Sequence, residues 1–179
     1  VSVWASPVAE DDKGNMKSES WWHSAHHLGD LEDAAAVGRI SGQRAARMLG
    51  AVKVATGKVP ILFTPETAGA LVGTLFQSVS GTAVYQKSTF LGSKEGRRIG
   101  SELVTIIDDP HRVRGLSSRQ FDGEGVACHP ATLLGKGMLN FFPCDSFSAR
   151  KLGRKSTGHS SRGLAGTGGV GSSNLYLEK

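Results

Sequence analysis

Thr64-Pro-Glu-Thr-Ala-Gly-Ala-Leu-Val-Gly-Thr-Leu-Phe-Gln-Ser-Val-Ser-Gly81 is the segment that decides the fold class of this chain. Thr64 is placed to cap a helix, Pro65 suits its first turn, and Glu66 complements the positive N-terminal end. Ala68, Leu71, Val72, Leu75, Phe76 and Val79 recur at the i, i+3, i+4, i+7 spacing of one buried helical face. Ser80-Gly81 ends the pattern. A helix of this kind needs a partner surface, and the flanking sequence offers strands.

On the N-terminal side, Val59-Pro-Ile-Leu-Phe63 predicts a buried or edge strand with Pro60 near its start. Further back, Asp30 or Asp33 can cap a second helix that turns Val37, Ile40, Ala45, Met48 and Leu49 inward and stops at Gly50. Val1, Val3 and Ala5 alternate as a strand does. Asp12-Lys13-Gly14-Asn15 supplies a turn, and residues 16–24 return as the second arm of a hairpin. The expected organisation is a hairpin over 1–29, belonging to the end of an N-terminal region, followed by one domain over 30–179 that is truncated at its C-terminus.

On the C-terminal side, Leu103–Ile107 predicts a strand closed by Asp108-Asp109-Pro110, and Met138–Phe142 another. Gly123, Gly125, Gly135 and Gly137 punctuate short segments. Ser146–Leu152 reads as a short helix with Gly153 after it, residues 156–173 as a long flexible loop, and Asn174–Leu177 as a last strand. Helices and strands do not alternate regularly. The class is therefore α+β, with helices on a mixed or antiparallel sheet and Gly-rich loops.

Composition narrows the function classes. The chain has 179 residues with 24 Gly, two Cys and a net charge of +5. The basic residues gather at Arg97–Arg98, Arg112–Arg114 and Arg150–Lys155 without any nucleic-acid-binding module signature, so nucleic acid is an unexpected partner. Cys128 and Cys144 form no CxxC pair. No apolar run approaches the ~20 residues that span a bilayer. The N-terminus carries no signal-peptide pattern, and a cytoplasmic location is the expectation.

Four groups could carry chemistry. His23, His26 and His27 would share a face if helical, but the adjoining Trp21-Trp22 favour a strand, which separates them. Asp108, Asp109 and His111 make a carboxylate–imidazole cluster that a turn explains more simply. Asp122 and Glu124, split by one Gly, would face the same side of a strand, whereas the glycines around them favour a tight turn. The loop residues Ser156, Thr157, Gly158, His159 and Arg162 offer hydroxyls, an imidazole and a guanidinium. A Ser/His hydrolase built on His159 would need an orienting acid that the sequence does not display.

In this order the segments resemble one family. Leu49-Gly-Ala51, Val59–Phe63, Ser80–Val84, Ser88–Leu91, Leu103–Pro110, Phe121–Val126, Ser148–Gly153, Ser156-Thr-Gly158 and Ser173–Tyr176 follow the pattern of the TldD/PmbA metallopeptidases, also called modulators of DNA gyrase. The resemblance covers nearly the whole chain and is closest to the PmbA (TldE) type of subunit. It implies a heterodimer with a TldD-type subunit that cleaves unfolded peptides and matures a peptide antibiotic, a microcin. In TldD-type chains a His-Glu-x-x-x-His motif on the helix after the Pro-containing strand holds the metal, and a further Cys ligand would lie beyond Lys179. That register falls here on Gly73, Thr74 and Ser78. Gly offers no ligand and hydroxyls are poor substitutes for imidazole and carboxylate. The resemblance thus implies no catalytic residue and no metal or other cofactor in this chain, with zinc or iron in the TldD-type partner. It points to Asp122, Glu124, Ser156, Thr157, Gly158, His159 and Arg162 as the substrate-cleft candidates. The alternative from a different class is a basic regulatory module that contacts nucleic acid or gyrase, which salt-sensitive DNA binding would reveal.

Overall fold

The structure, a computed structural model, describes residues 1–178. The chain forms two compact units, Val1–Ile61 and Leu62–Lys179.

The first unit is a hairpin with a helix laid on it. β1 (Ser2–Ala5) pairs antiparallel with β4 (Trp21–Ser24), and β2 (Val8–Glu10) with β3 (Met16–Ser18). Asp11 closes the turn by accepting from the amides of Lys13 and Asn15 at 2.9 and 2.8 Å. Gly14 takes the positive φ of 78° that the turn requires. α1 (Ala34–Arg47) is capped by Asp33, whose carboxylate accepts from the Ala36 amide. It buries Val37, Ser41 and Ala45 against the hairpin, and Gly50 follows it with φ 70°. Met48, expected inside, is exposed because the helix has already ended at Arg47.

The second unit holds a four-stranded antiparallel sheet in the order β10 (Leu175–Leu177), β5 (Ile106–Asp108), β6 (Ala131–Gly135), β7 (Met138–Leu139). α2 (Pro65–Ser78), α3 (Gly81–Tyr85) and α4 (Ser146–Lys151) complete it, with a two-stranded ribbon of β8 (Ser160–Ser161) and β9 (Gly169–Val170). Phe76 and Val79 enter a core with Ile106, Leu133, Leu134, Leu139 and Phe142. The fold is α+β, as the unequal spacing of helices and strands predicts.

The adjacent core residues Leu133 and Leu134 would face opposite sides of a regular strand. The register shifts between Ile106 and Ile107, which pair with Leu134 and Thr132, so Leu133 is the extra residue of a bulge and both leucines turn inward. β6 and β7 are joined by Lys136-Gly137, with φ 46° and 80°. Two positive values define the type I′ turn that matches strand twist. A Cβ at Gly137 would also lie 2.3 Å from the Gly100 carbonyl oxygen. Gly137→Ala is expected to cost about 1–3 kcal/mol through strain and steric conflict together, seen as a lowered urea midpoint at an unchanged slope.

Several expectations need correction. Val59–Phe63 forms no strand; it is irregular and exposed, and among the described residues no strand pairs with it. The strand expected at Leu103–Ile107 is Ile106–Asp108, and Leu103 is exposed. The strand expected at Met138–Phe142 stops at Leu139. Leu71 lies half outside the α2 face that packs. The 156–173 stretch is not one loop: residues 158–160 are buried, and β8–β9 make a ribbon with an exposed Gly-rich tip. Among the described residues no helix is long and apolar enough to cross a membrane.

Candidate functional site

Three buried polar groups organise the second unit around the end of β5. Asp108 closes that strand and is almost fully buried. Its carboxylate accepts from the Ser173 amide at 2.9 Å and the Ser173 hydroxyl at 2.7 Å. His159 Nε2 lies 3.2 Å from the other oxygen. Burial alone would raise the Asp108 pKa, but the hydrogen bonds from His159 and Ser173 outweigh it and hold the carboxyl below its ordinary value.

His159 is enclosed between the rings of Phe76 and Phe141, at 6.1 and 5.8 Å between centroids. Its Nδ1 lies 2.8 Å from both the carbonyl and the hydroxyl oxygen of Thr157. Both ring nitrogens therefore have partners inside the protein. The orienting acid that the sequence does not display is Asp108, 51 positions away, yet the imidazole is turned into the core rather than toward a nucleophile.

Asp122 is the second buried carboxylate. Oδ1 accepts from the amides of Glu124 and Val126, and Oδ2 from that of Ser160, all at 2.9 Å. The glycines on either side let the chain fold back over it, and Gly125 has φ 80°. This is a turn held by its own side chain, not a strand presenting two acids. Glu124 is exposed and accepts from the Ser146 amide at 2.8 Å, at the start of α4. Nearby, Asp145 caps α4 by accepting from the Ser148 amide.

The remaining loop candidates divide by burial. Thr157 accepts from the Cys144 amide at 2.7 Å, and Gly158, at φ 72°, sits where a Cβ would lie 2.7 Å from the Ala127 carbonyl. Ser156 is half-buried, while Arg162 is exposed at the start of the Gly-rich tip. Burial pushes the Cys144 thiol up, and Cys128 donates to the Gly158 carbonyl, so neither sulfur is presented as a nucleophile. His23 lies in β4, where Nδ1 accepts from the Glu32 amide.

The second feature is the outer face of α2. Thr74 Oγ1 donates to the Ala70 carbonyl and Ser78 Oγ to that of Thr74, both at 2.8 Å. Gly73 faces open space, with nothing within 4 Å of a Cβ placed there. This donor set does not fit a catalytic metal: one position has no ligand atom and the two hydroxyls are tied back to their own helix. Among the described residues no group of three His, Cys, Asp or Glu side chains could hold a metal ion.

Residues 56–179 match the family model of the PmbA/TldA metallopeptidase C-terminal domain. The chain belongs to the PmbA/TldD metallopeptidase family. It is 36% identical over 155 residues to the metalloprotease PmbA of Escherichia coli O157:H7, covering 87% of this chain and 34% of that relative. A PmbA homolog from Buchnera aphidicola subsp. Acyrthosiphon pisum is 34% identical over 148 residues, or 83% of this chain and 33% of the relative. The chain thus spans about a third of the length of these curated PmbA/TldD relatives. Two solved structures share the fold over nearly the whole chain. One is TldE from Thermococcus kodakarensis (TM-score 0.84, 25% identity, covering 98% of this chain and 40% of the other). The other, from Bacteroides thetaiotaomicron VPI-5482, carries the name of a candidate modulator of DNA gyrase (TM-score 0.86, 29% identity, covering 99% and 38%).

Two of the PmbA/TldD segments quoted from the sequence meet in space. Asp108-Asp109 and Ser173-Asn174, 65 residues apart, are bound together twice: Ser173 holds Asp108, while Asn174 Nδ2 donates to the Asp109 carbonyl at 2.8 Å. Asn174 Oδ1 also accepts from the Ser117 amide. The sequence signal for this clasp is only that short polar residues follow one predicted strand and open another.

Proposed function

We propose that this chain is part of a PmbA-type subunit that serves a metalloprotease complex without supplying the catalytic metal. The observation that carries the reading is the α2 face, where Gly73 and the self-bonded hydroxyls of Thr74 and Ser78 stand at the metal-motif register. Without a carboxylate there, no residue of α2 outside its first turn can serve as the general base for a metal-bound water. The chemistry then belongs to a TldD-type partner, which would carry zinc or iron. This subunit would shape the enclosure and help to present unfolded peptide in the cytoplasm. Maturation of a microcin-like peptide is one outcome of such cleavage. Buried Asp108, Asp122 and His159 would support the enclosure by fixing the Asp122–Val126 turn, the start of β8 and the Ser173 end of β10.

The test uses the full-length protein, its TldD-type partner and an unfolded peptide. Cleavage is expected only in the mixture, and a chelator should abolish it. Metal analysis of the full-length protein alone should find well under one tightly held zinc or iron per chain. Cleavage by this protein alone, with stoichiometric metal, would overturn the reading.

A further inference from the structure

The four-stranded sheet ends on β10, and among the described residues no strand pairs with its outer edge. The Asn174 carbonyl accepts from the Asp109 amide at 3.0 Å, and the Glu178 amide donates to the Thr105 carbonyl at 2.9 Å. The even-numbered residues therefore face β5. By the alternation of an antiparallel pair, the amides and carbonyls of Leu175 and Leu177 point to the open side. Free sheet edges are ordinarily blunted by charge, proline or a bulge. The strand itself, Leu175-Tyr-Leu177, carries none of these.

Along the same strand runs a groove of about 440 Å³, formed within the second unit by β10 and the first turns of α2. Phe63, Ala68, Gly69 and Val72 make its far wall, and no charged side chain lines it. A Cβ placed on Gly69 meets nothing within 4 Å, and Phe63 and Leu177 are 44% and 50% exposed. Unpaired backbone groups and apolar surface thus lie side by side. A β-strand satisfies both, with its backbone on the edge and alternate apolar side chains in the groove.

The chain spans 34% of the Escherichia coli relative, so about two-thirds of such a polypeptide lies outside residues 1–179. A strand tethered in the same polypeptide acts at an effective concentration in roughly the millimolar range, which a second copy or a free peptide does not reach. We infer that a strand from the part of the full-length polypeptide outside residues 1–179 pairs with β10 and fills this groove, which makes β10 an interior strand of a larger sheet. This holds whichever subunit carries the metal.

The experiment uses the full-length protein alone, diluted until monomeric, with hydrogen exchange read at single residues. The Tyr176 amide faces β5 in either case and serves as the internal reference. Leu175 and Leu177 should be protected to within about tenfold of Tyr176, as for a strand bonded on both sides. Exchange at Leu175 and Leu177 about a hundredfold or more faster than at Tyr176 would overturn the pairing. Protection that appears only at high protein concentration would assign the edge to a second copy, and protection that appears only with added unfolded peptide would assign it to a ligand; either result overturns it. Gly69→Glu gives an independent reading by its sign. On an open surface, replacing a helical Gly by Glu favours the helix and should raise the urea midpoint. Beneath an apolar strand the carboxylate would be buried without a partner, so the expected result is a lowered midpoint, and a raised one counts against the inference.

Discussion

Asp108→Ala is expected to destabilise the second unit by about 2–4 kcal/mol, the cost of leaving several buried donors without their shared acceptor. The substitution removes three contacts at once: those to the Ser173 amide, the Ser173 hydroxyl and His159 Nε2. It leaves Nε2 of the buried His159 imidazole, held between Phe76 and Phe141, without its carboxylate partner. Asp108→Asn should cost less, about 1–3 kcal/mol, because an amide oxygen can still accept from Ser173. Hydrogen exchange at the Ser173 and Ser160 amides of the full-length protein would register the loss locally, even where global unfolding involves several domains. Protection at Ser173 equal to that of the wild type would contradict the assignment. A cycle of Asp108→Asn and His159→Phe should be strongly non-additive, since the two side chains contact each other directly.

The same carboxylate sets a pH dependence. Its folded pKa lies below the unfolded value near 3.8, so the unfolded chain binds more protons as the solution becomes acid. Asp108 therefore contributes its full stabilisation above about pH 4–5 and loses it as the pH falls through the lower folded value. Asp108→Asn should flatten the acid limb of the stability profile relative to the wild type. An acid limb of unchanged slope would mean that other carboxylates carry it.

Asp122→Ala is the second large effect, expected at about 2–4 kcal/mol. Three backbone amides lose a charged acceptor together, and one of them, Ser160, is buried at the entry to β8. The Asp122–Val126 turn and the β8 strand should loosen as one, which exchange at Glu124, Val126 and Ser160 would show. Asp122→Asn should recover part of the loss, because one carboxamide oxygen replaces two acceptors. If Asp122 were instead a base facing substrate, Asp122→Ala would leave stability unchanged and abolish cleavage in the mixture.

The elements that were legible in the sequence carry their signals within one turn of chain. Asp33 caps α1 and Pro65 begins α2, each through contacts no more than a few residues long, whereas Ser80-Gly81, read as the end of α2, also opens α3, a helix the sequence reading did not place. Gly14, Gly50 and Gly153 stop their elements by taking positive φ. The hairpin turn, α2 and the α+β class follow from such local rules. So does the absence of ligand atoms at Gly73, since a residue's chemistry needs no fold to be read.

The site did not follow in the same way. Asp108 looks like any turn aspartate until β10 returns beside β5 and brings Ser173 to it across 65 positions. His159 sits in a stretch rich in Gly and Ser that reads as solvent-exposed, yet pairing of β8 with β9 and the rings of Phe76 and Phe141 close over it. Val59–Phe63 has the composition of a strand but no neighbour to pair with, and Leu133 joins Leu134 in the core only because of a bulge. Sequence by itself determined the cap of α1, the start of α2, the hairpin turn and the class. Which carboxylates are buried and what they hold were decided by tertiary structure, because those depend on segments meeting that no local periodicity records.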